Sequence, residues 1–502
     1  MESFQNLLMG FSVALTLQNL LYAFVGSLLG TMIGVLPGIG PAAGCAMLIP
    51  LTFQMTPTGA IIMLTALFYG TQYGGTITSI LLNVPGEAAS AITCIDGYEM
   101  TKQGRAGIAL AGAAIGSFIG GIFAAVALVL AAGPLTRMAL EFGPVEFFAL
   151  ILLGLSLLMG LAGKSMIKAL MMGMFGMLLA MVGMDPVRAL PRFTFGHMEL
   201  LDGIGFVPII MGLFGLAEIL ENAEKHFGQV SIGKLGSIIP TRKDVRDSVA
   251  PIVRGSIIGT LLGLVPGMTG SASSFLSYIA EKKSSRYPER FGTGMIEGVV
   301  GPETANNAHA NGALIPLFTL GIPASPTVAV IMGAFMMHGL IPGPFLFKDH
   351  PDLVWGVIAS FYVGNVMLLI LNMPLIGIWI KILKIPYGIL FGIILVFMVV
   401  GAYSVSNSVF DVVVMTLFGI IGYLLRKLDF PLAPIVLTLI LGPLMERSLR
   451  QSLEMSQGSL HIFLESPIAL VLLIVTALIL IAPAFAFFRR GKGIIGGDEE
   501  GT

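Results

Sequence analysis

Three long stretches of the sequence contain no Asp, Glu, Lys or Arg, namely residues 3–86, 106–136 and 304–347. A transmembrane helix needs about 20 mostly apolar residues, so the first stretch alone has room for several. Only 11% of the 502 residues are charged, against roughly a quarter in a soluble protein. Because helices satisfy their own backbone groups in lipid, the sequence predicts an all-α polytopic membrane protein with about 11–12 transmembrane segments.

Basic residues predict which side of the membrane each loop faces. Cytoplasmic loops carry an excess of Lys and Arg, and the strongest basic clusters lie in residues 223–254 and 281–290. The largely apolar segment 255–280 between them must therefore enter and leave on one side, which predicts a re-entrant hairpin. With these loops inside, the N-terminus is predicted to be periplasmic and the C-terminus cytoplasmic.

The chain also contains two copies of one pattern. Residues 30–38 read GTMIGVLPG, and residues 259–267 read GTLLGLVPG. The first copy begins outside the cell and the second begins inside, so the two structural repeats are predicted to be inverted, as in many secondary transporters. Two further matches extend the alignment and pair Gly74 with Gly312 and Pro85 with Pro323.

This duplication predicts the domain organisation of the chain. The second copy starts after the basic cluster, so that cluster is the connector between two membrane halves. The predicted parts are a first inverted repeat at 1–222, a cytoplasmic basic connector at 223–254, a second inverted repeat at 255–490 and a cytoplasmic tail at 491–502.

In each copy a Pro-Gly pair interrupts an apolar helix, within GVLPGIGPAAG (34–44) and GLVPGMTGSASS (263–274). Proline removes a backbone donor and clashes with the preceding turn, and glycine permits conformations closed to other residues. The break exposes carbonyls at one half-helix end and N–H groups, which attract anions, at the other. The candidate substrate-binding residues at the breaks are Pro37, Gly38, Gly40, Pro266, Gly267, Ser271, Ser273 and Ser274.

Two further segments are too polar for helices that face lipid, namely FYGTQYGGTITSILLNVPGEAAS (68–90) and GPETANNAHANGALIPLFTLGIPAS (301–325). Irregular polar backbone at membrane depth is tolerated only where it is buried in protein or lines an aqueous cavity. Hydroxyls and amides can donate to carboxylates or accept from cations. The candidate substrate-binding residues here are Thr71, Gln72, Thr76, Asn83, Pro85, Gly86, Asn306, Asn307, Asn311 and Pro323.

Few cationic side chains lie in these motifs, so an anionic substrate must be held by helix N-termini, hydroxyls and amides. Bound cations would neutralise several carboxylates at once, which favours Na⁺ as the coupling ion, and no other cofactor is expected. His309 is either a proton carrier or a histidine satisfied by hydrogen bonds to the backbone. The candidate Na⁺ ligands are Gly34, Gly38, Gly267, Thr269, Glu303 and Asn307.

The sequence also argues against several classes of function. No Walker A, HExxH or GxSxG motif is present, so ATP hydrolysis and the common hydrolase mechanisms are not expected. The formal net charge is −1, which offers no basic field for nucleic acid. The chain is therefore predicted to be a secondary transporter and not an enzyme.

Two alternatives remain open at this point. Anion channels also use broken helices and hydroxyl-lined filters, and flux without saturation would identify one. An intramembrane enzyme would need a catalytic set, and the sequence offers only His309 with Ser271 or Glu303.

Several long motifs, taken in order, resemble the large membrane subunit of the bacterial tripartite tricarboxylate transporters. They are GVLPGIGPAAG, YGTQYGGTITSILLNVPGEAASAITCIDGYEM, GLVPGMTGSASS and GPETANNAHANGALIPLFTLGIPAS, and the resemblance extends over roughly residues 10–490. It implies a permease of the bacterial inner membrane that takes up citrate or another carboxylate by symport, using an ion gradient. It also implies two partners, a periplasmic substrate-binding protein and a small membrane subunit of about four helices.

Overall fold

Helices make up almost all of the regular structure, which confirms the prediction of an all-α membrane protein. The computed structural model describes residues 2–36, 38–161, 165–185, 189–224, 235–382 and 387–495. Within this part of the chain, the strands are β1 (Gly183–Met184) and β2 (Pro191–Arg192), which form one short antiparallel pair.

The α-helices are numbered in chain order. Those of the first half are α1 (Glu2–Ala14), α2 (Leu17–Val35), α3 (Pro41–Leu48), α4 (Pro57–Leu82), α5 (Thr93–Lys102), α6 (Ala106–Leu140), α7 (Pro144–Leu161), α8 (Met166–Ala180), α9 (Phe206–Ile210) and α10 (Ala217–Ala223). Those of the second half are α11 (Arg242–Gly263), α12 (Gly270–Ser284), α13 (Glu297–Gly312), α14 (Leu314–Leu320), α15 (Pro326–Met337), α16 (Pro344–Asp349), α17 (Pro351–Asn372), α18 (Ile376–Ile382), α19 (Tyr387–Ser406), α20 (Val409–Lys427), α21 (Ala433–Met455), α22 (Ile462–Glu465) and α23 (Pro467–Ile495).

Several helical segments are long and apolar enough to cross a bilayer, which makes this a multi-pass membrane protein. In the described residues they are Leu17–Val35, Ala106–Ala139, Phe206–Ala223, Pro351–Asn372 and Val409–Lys427. The third of these joins α9 to α10 through a π-helical turn at Met211–Leu216. The number of crossings and the sidedness of the termini stay predictions.

The chain packs as two compact units. Unit 1 comprises residues 1–140 and 205–425, and unit 2 comprises residues 141–204 and 426–502. These units are groups of residues that pack together, whereas the predicted domains were drawn from the sequence duplication. The predicted domain boundaries therefore stay a prediction.

The duplicated pattern has the same local structure in both copies, and both lie in unit 1. Helix α2 packs on α4, and α11 packs on α13. A Cβ added at Gly30 would lie 2.4 Å from the carbonyl oxygen of Leu67, and one added at Gly259 would lie 2.2 Å from that of Ala305. Small residues thus let both helix pairs approach at backbone distance.

The predicted helix breaks are present in both copies. Helix α2 ends at Val35 and α3 begins at Pro41, while α11 ends at Gly263 and α12 begins at Gly270. Gly38 and Gly267 have φ of 91° and 89°, a conformation that glycine adopts without strain. The matching breaks support the duplication, and the inverted, re-entrant arrangement in the membrane stays a prediction.

Unit 2 contains α7, α8 and α21–α23, together with the β1–β2 pair. Helix α21 packs against α7 and α8, and α23 packs against α7. An ion-pair network holds the β1–β2 segment to α21. Arg192 donates to Glu446 at 2.8 Å, and Arg450 donates to Asp185 at 2.9 Å.

The start of α11 carries a testable capping arrangement. Thr241 and Asp244 form a capping box, and Arg105 donates to Asp244 at 2.5 Å. Burial disfavours the Asp244 carboxylate, but hydrogen bonds from Thr241 and the Arg105 charge outweigh it and hold the pKa of Asp244 below its ordinary value. Because the pKa of Asp244 is lower in the folded than in the unfolded state, the carboxylate stabilises the fold at pH values above the ordinary pKa of Asp. This contribution is lost as the pH falls through the pKa of the folded state.

We therefore expect Asp244→Asn to destabilise the protein by about 1 kcal/mol at neutral pH, the usual cost of losing a cap. The difference from wild type should close as the pH falls below the ordinary Asp range. Thermal unfolding in detergent across that range measures both effects. Asp247→Asn, on the same helix but outside the cap, is the matched control. An Asp244→Asn deficit that persists in strong acid would contradict the role of the charge.

Candidate functional site

Unit 1 contains a cavity of about 450 Å³ that is lined by residues from both sequence copies. This volume is in the range typical of small-molecule sites, about 300–1,000 Å³. Four irregular segments reach it: the two Pro-Gly breaks and the two polar breaks that follow α4 and α14. The predicted site residues on its lining are Gly38, Gly40, Gln72, Pro85, Gly86, Thr269, Ser271 and Asn306.

The N-termini of α3, α12 and α15 all open into this cavity. The residues that line it there are Gly40, Pro41 and Ala42 of α3, Thr269, Gly270 and Ser271 of α12, and Ser325, Pro326 and Thr327 of α15. The sequence produces these ends locally, because Pro41 and Pro326 occupy the first helical position, where their missing N–H costs nothing. First-turn N–H groups and the helix dipole attract anions. Three such ends on one cavity are a suitable environment for a substrate with several carboxylates.

Hydroxyl side chains cap two of these three helix N-termini, those of α12 and α15. Thr269 Oγ1 accepts from the N–H of Ala272 at 3.2 Å, and Ser325 Oγ accepts from the N–H of Val328 at 3.3 Å. At the third end a carboxylate takes that place, since Glu218 Oε1 accepts from the N–H of Gly40 at 2.9 Å.

A polar group lies on the wall formed by α4, α13 and the break after α4. Asn306 Nδ2 donates to Glu87 Oε1 at 2.7 Å. With its amide nitrogen facing the carboxylate, Gln72 donates to Glu87 Oε2 at 2.7 Å and to Asn306 Oδ1 at 3.0 Å. All three side chains are buried and line the cavity.

A second carboxylate, Glu303, is fully buried on α13 and is not on the cavity lining. Thr76 and Thr93 each donate to one of its oxygens. Asn307 lies one turn further along α13 and donates to Ser117 Oγ at 2.7 Å. These contacts tie α13 to α4, α5 and α6 behind the cavity wall, and the prediction that Glu303 and Asn307 bind Na⁺ stays a prediction.

His309 lines the cavity, and its Nδ1 lies 2.9 Å from Ser273 Oγ. Ser271 also lines the cavity, whereas Glu303 does not. Of the two pairs considered for an intramembrane enzyme, His309 and Ser271 therefore share the cavity lining, whereas His309 and Glu303 do not. The serine hydroxyl that His309 contacts is that of Ser273.

The remaining predicted residues lie off the cavity lining, and Pro37 lies outside the described residues. Thr71 donates to the carbonyl of Phe68, and Asn311 donates to that of Asn307, so both side chains bond within their own helices. Asn83 ends α4 in a left-handed conformation. The others in this group are Gly34, Thr76, Pro266, Gly267, Ser273, Ser274, Glu303, Asn307 and Pro323.

Some cavity residues were missed by the sequence argument. Phe214 and Glu218 come from the segment Phe206–Ala223, and Asn222 of the same segment donates to the carbonyl of Gly38 at 2.5 Å. The available signal was an acidic residue inside an apolar helix, which usually marks a function. The π-helical turn at Met211–Leu216 is a second such mark, because π-bulges are frequent at functional sites.

The ionisable groups on the lining are mostly acidic. Its described residues include the carboxylates Glu87 and Glu218 and no Lys or Arg. The described residues also contain no group of three or more His, Cys, Asp or Glu that would suit a metal such as Zn²⁺. If these carboxylates are ionised, they repel a multivalent anion in the cavity. A small cation bound beside the anion would neutralise them.

Residues 20–437 match the model of the family described as the tripartite tricarboxylate transporter TctA family. The chain is 49% identical over 476 residues to a protein of Agrobacterium vitis described as an uncharacterized 52.8 kDa protein in the TAR-I ttuC′ 3′ region, and the match covers 95% of each chain. A second Agrobacterium vitis protein, described as an uncharacterized protein in the TAR-II ttuC′ 3′ region, is 49% identical over 215 residues, which are 43% of this chain and 89% of that protein.

No solved structure matches the chain. The family is one of transporters and not of enzymes, it implies tricarboxylate transport, and its tripartite character implies partner components. A family model that covers most of the chain, and a relative matched over nearly its whole length, lead to one conclusion. The chain belongs to the tripartite tricarboxylate transporter TctA family.

Proposed function

We propose that the protein is the translocating subunit of a secondary active importer that carries a di- or tricarboxylate of the citrate type across the bacterial inner membrane together with Na⁺. The observation that carries this proposal is the cavity in unit 1, into which the N-termini of α3, α12 and α15 open. The first-turn N–H groups of α12 and α15 bind carboxylates of the substrate, whereas Glu218 already accepts from the N–H of Gly40 at α3. Gln72, Asn306 and Ser271 complete the hydrogen bonds of the substrate.

The energetics fit a substrate with several carboxylates better than one with a single charge. One helix end contributes about 0.3–1 kcal/mol, and up to about 2 kcal/mol in a partly buried site. The two ends that Glu218 does not occupy, those of α12 and α15, therefore supply at most about 4 kcal/mol together, and only if each meets its own carboxylate. A co-bound cation offsets the repulsion from Glu87 and Glu218 and links the anion to an ion gradient.

The partners follow from the tripartite character of the family. A periplasmic binding protein delivers the substrate to the external face, and a small membrane subunit of about four helices supports this subunit. Capture by the binding protein would supply selectivity before translocation, so the cavity itself needs only to recognise a compact polycarboxylate.

Uptake into proteoliposomes tests the proposal. The vesicles contain this protein with its small subunit, and radiolabelled citrate is added with purified binding protein. An inward Na⁺ gradient should raise initial uptake by about tenfold, within the usual range of coupling between sites. Replacing Na⁺ with choline at equal ionic strength is the control. Saturable uptake that responds to neither a Na⁺ nor a proton gradient would refute coupled transport, and non-saturating current would identify a channel.

A further inference from the structure

Glu87 stands out among the acidic residues of unit 1, because it is buried and still lines the cavity. We propose that Glu87, together with Asn306 and Gln72, forms the binding site of the co-transported Na⁺. This inference rests on the proposed Na⁺-coupled function and assigns the cation to particular side chains.

The backbone around Glu87 holds its side chain in one position. A Cβ at Gly75 would lie 2.6 Å from Glu87 Cγ, and a Cβ at Gly86 would lie 2.2 Å from the carbonyl oxygen of Gly34. The N–H of Ser90 donates to the Glu87 carbonyl at 3.2 Å. Gly75 thus leaves the space that the Glu87 side chain fills, and Gly86 lets the break after α4 approach the end of α2 at backbone distance.

The charge of Glu87 has only neutral partners in the described part of the chain. Its oxygens accept from the amides of Asn306 and Gln72, which uses two of the four or so lone-pair positions of a carboxylate. A buried charge without an opposite charge is costly. The remaining lone pairs, with the Asn306 amide oxygen nearby, are the hard oxygen ligands that an alkali cation prefers.

The composition of the group favours a monovalent ion. The described residues contain no cluster of three or more acidic or His ligands, and divalent cations held by protein side chains usually require several carboxylates. Glu303 is a poorer candidate, because it lies off the cavity lining and a cation from the cavity would not reach it directly.

Asn306 links the cation to the substrate. Besides contacting Glu87, its Oδ1 lies 2.9 Å from the position of a Cβ on Gly270, the first residue of α12. A cation at Glu87 would therefore lie beside the α12 N-terminus that binds a substrate carboxylate. Each ligand would reduce the electrostatic cost of the other, which is reciprocal coupling between two sites.

Na⁺ binding to the purified full-length protein tests the inference. Melting temperature is measured against NaCl concentration in detergent, with choline chloride holding ionic strength and pH constant. The titratable groups facing Glu87 are Glu303 and His309 on α13 and Glu218 across the cavity, so constant pH is essential. Wild type should show a saturable, Na⁺-specific rise. Glu87→Gln, which keeps the size of the side chain but removes its charge, should weaken apparent Na⁺ affinity by at least about tenfold.

Two further variants complete the design. Glu99→Gln removes a carboxylate on α5 that pairs with Lys102 outside the cavity, and it should keep the wild-type response. Glu87→Asp keeps the charge on a shorter side chain. It should change the NaCl concentration that gives half of the maximal rise in melting temperature, and it can be measured even if Glu87→Gln does not fold. A wild-type response that survives in Glu87→Gln or is unchanged in Glu87→Asp overturns the assignment and leaves Na⁺ coupling intact. No Na⁺ response in wild type overturns both.

Discussion

Replacing Gly259 with alanine should prevent the protein from accumulating in its folded form. The added Cβ would lie 2.2 Å from the carbonyl oxygen of Ala305 and 2.8 Å from the Cβ of Ala308. The oxygen belongs to the backbone of α13, so no side-chain rotation relieves the contact, and α11 must move away from α13 along its length. Overpacking commonly costs 1–3 kcal/mol, and a backbone clash between long helices should reach about 3 kcal/mol or more.

The duplication predicts that Gly30→Ala behaves in the same way, since the new Cβ would lie 2.4 Å from the carbonyl oxygen of Leu67 on α4. Fluorescence-detected size-exclusion chromatography of detergent extracts measures the folded fraction, and heating the extracts measures its stability. Gly392→Ala is the matched control, because nothing lies within 4 Å of the new Cβ on α19. Gly259→Ala with a wild-type profile would show that the two helices are not held at backbone distance.

The sequence predicted the helix breaks because proline and glycine act locally. A Pro-Gly pair interrupts a helix whatever surrounds it, and both copies end the preceding helix before the pair, at Val35 and Gly263. The recurrence of the pattern also predicted that equivalent segments share local structure, which Gly38 and Gly267 do through their nearly equal φ values.

The orientation of side chains within α4 and α13 could not be predicted in the same way. Nearly every residue of both helices is buried, so no alternation of polar and apolar residues marks the side that faces the cavity. Residue type alone therefore selected Thr71 along with Gln72, yet only Gln72 lines the cavity. The position of Thr71 on α4 turns it away from the cavity, and its hydroxyl donates to the carbonyl of Phe68 in its own helix.

Glu218 illustrates a second limit. Glu218 accepts a hydrogen bond from the N–H of Gly40, although 178 residues separate the two positions. No local sequence pattern connects them. Only the packing of the segment Phe206–Ala223 beside the first break brings this carboxylate to the N-terminus of α3. The sequence marked Glu218 as an acid in an apolar helix, but its partner became visible only in three dimensions.

Ser271→Asp should nearly abolish carboxylate uptake, whereas Ser271→Asn should not. Ser271 is in the first turn of α12 and lines the cavity. The two substitutions add side chains of almost equal size and differ by one negative charge. A carboxylate there would occupy the helix N-terminus proposed for the substrate. Two unit charges about 5 Å apart repel by about 3 kcal/mol at an effective dielectric constant of about 20, which is more than about a hundredfold in affinity.

The measurement is the concentration dependence of Na⁺-driven citrate uptake in proteoliposomes with matched protein content. Ser271→Asp should raise the apparent KM for citrate at least about a hundredfold, and Ser271→Asn should stay within about fivefold of wild type, or about 1 kcal/mol. Misfolding would not explain this result, because an acidic residue in the first turn of a helix stabilises it by about 0.3–1 kcal/mol. Equal uptake by the two variants would mean that the substrate carboxylate does not bind at α12, because only charge distinguishes them.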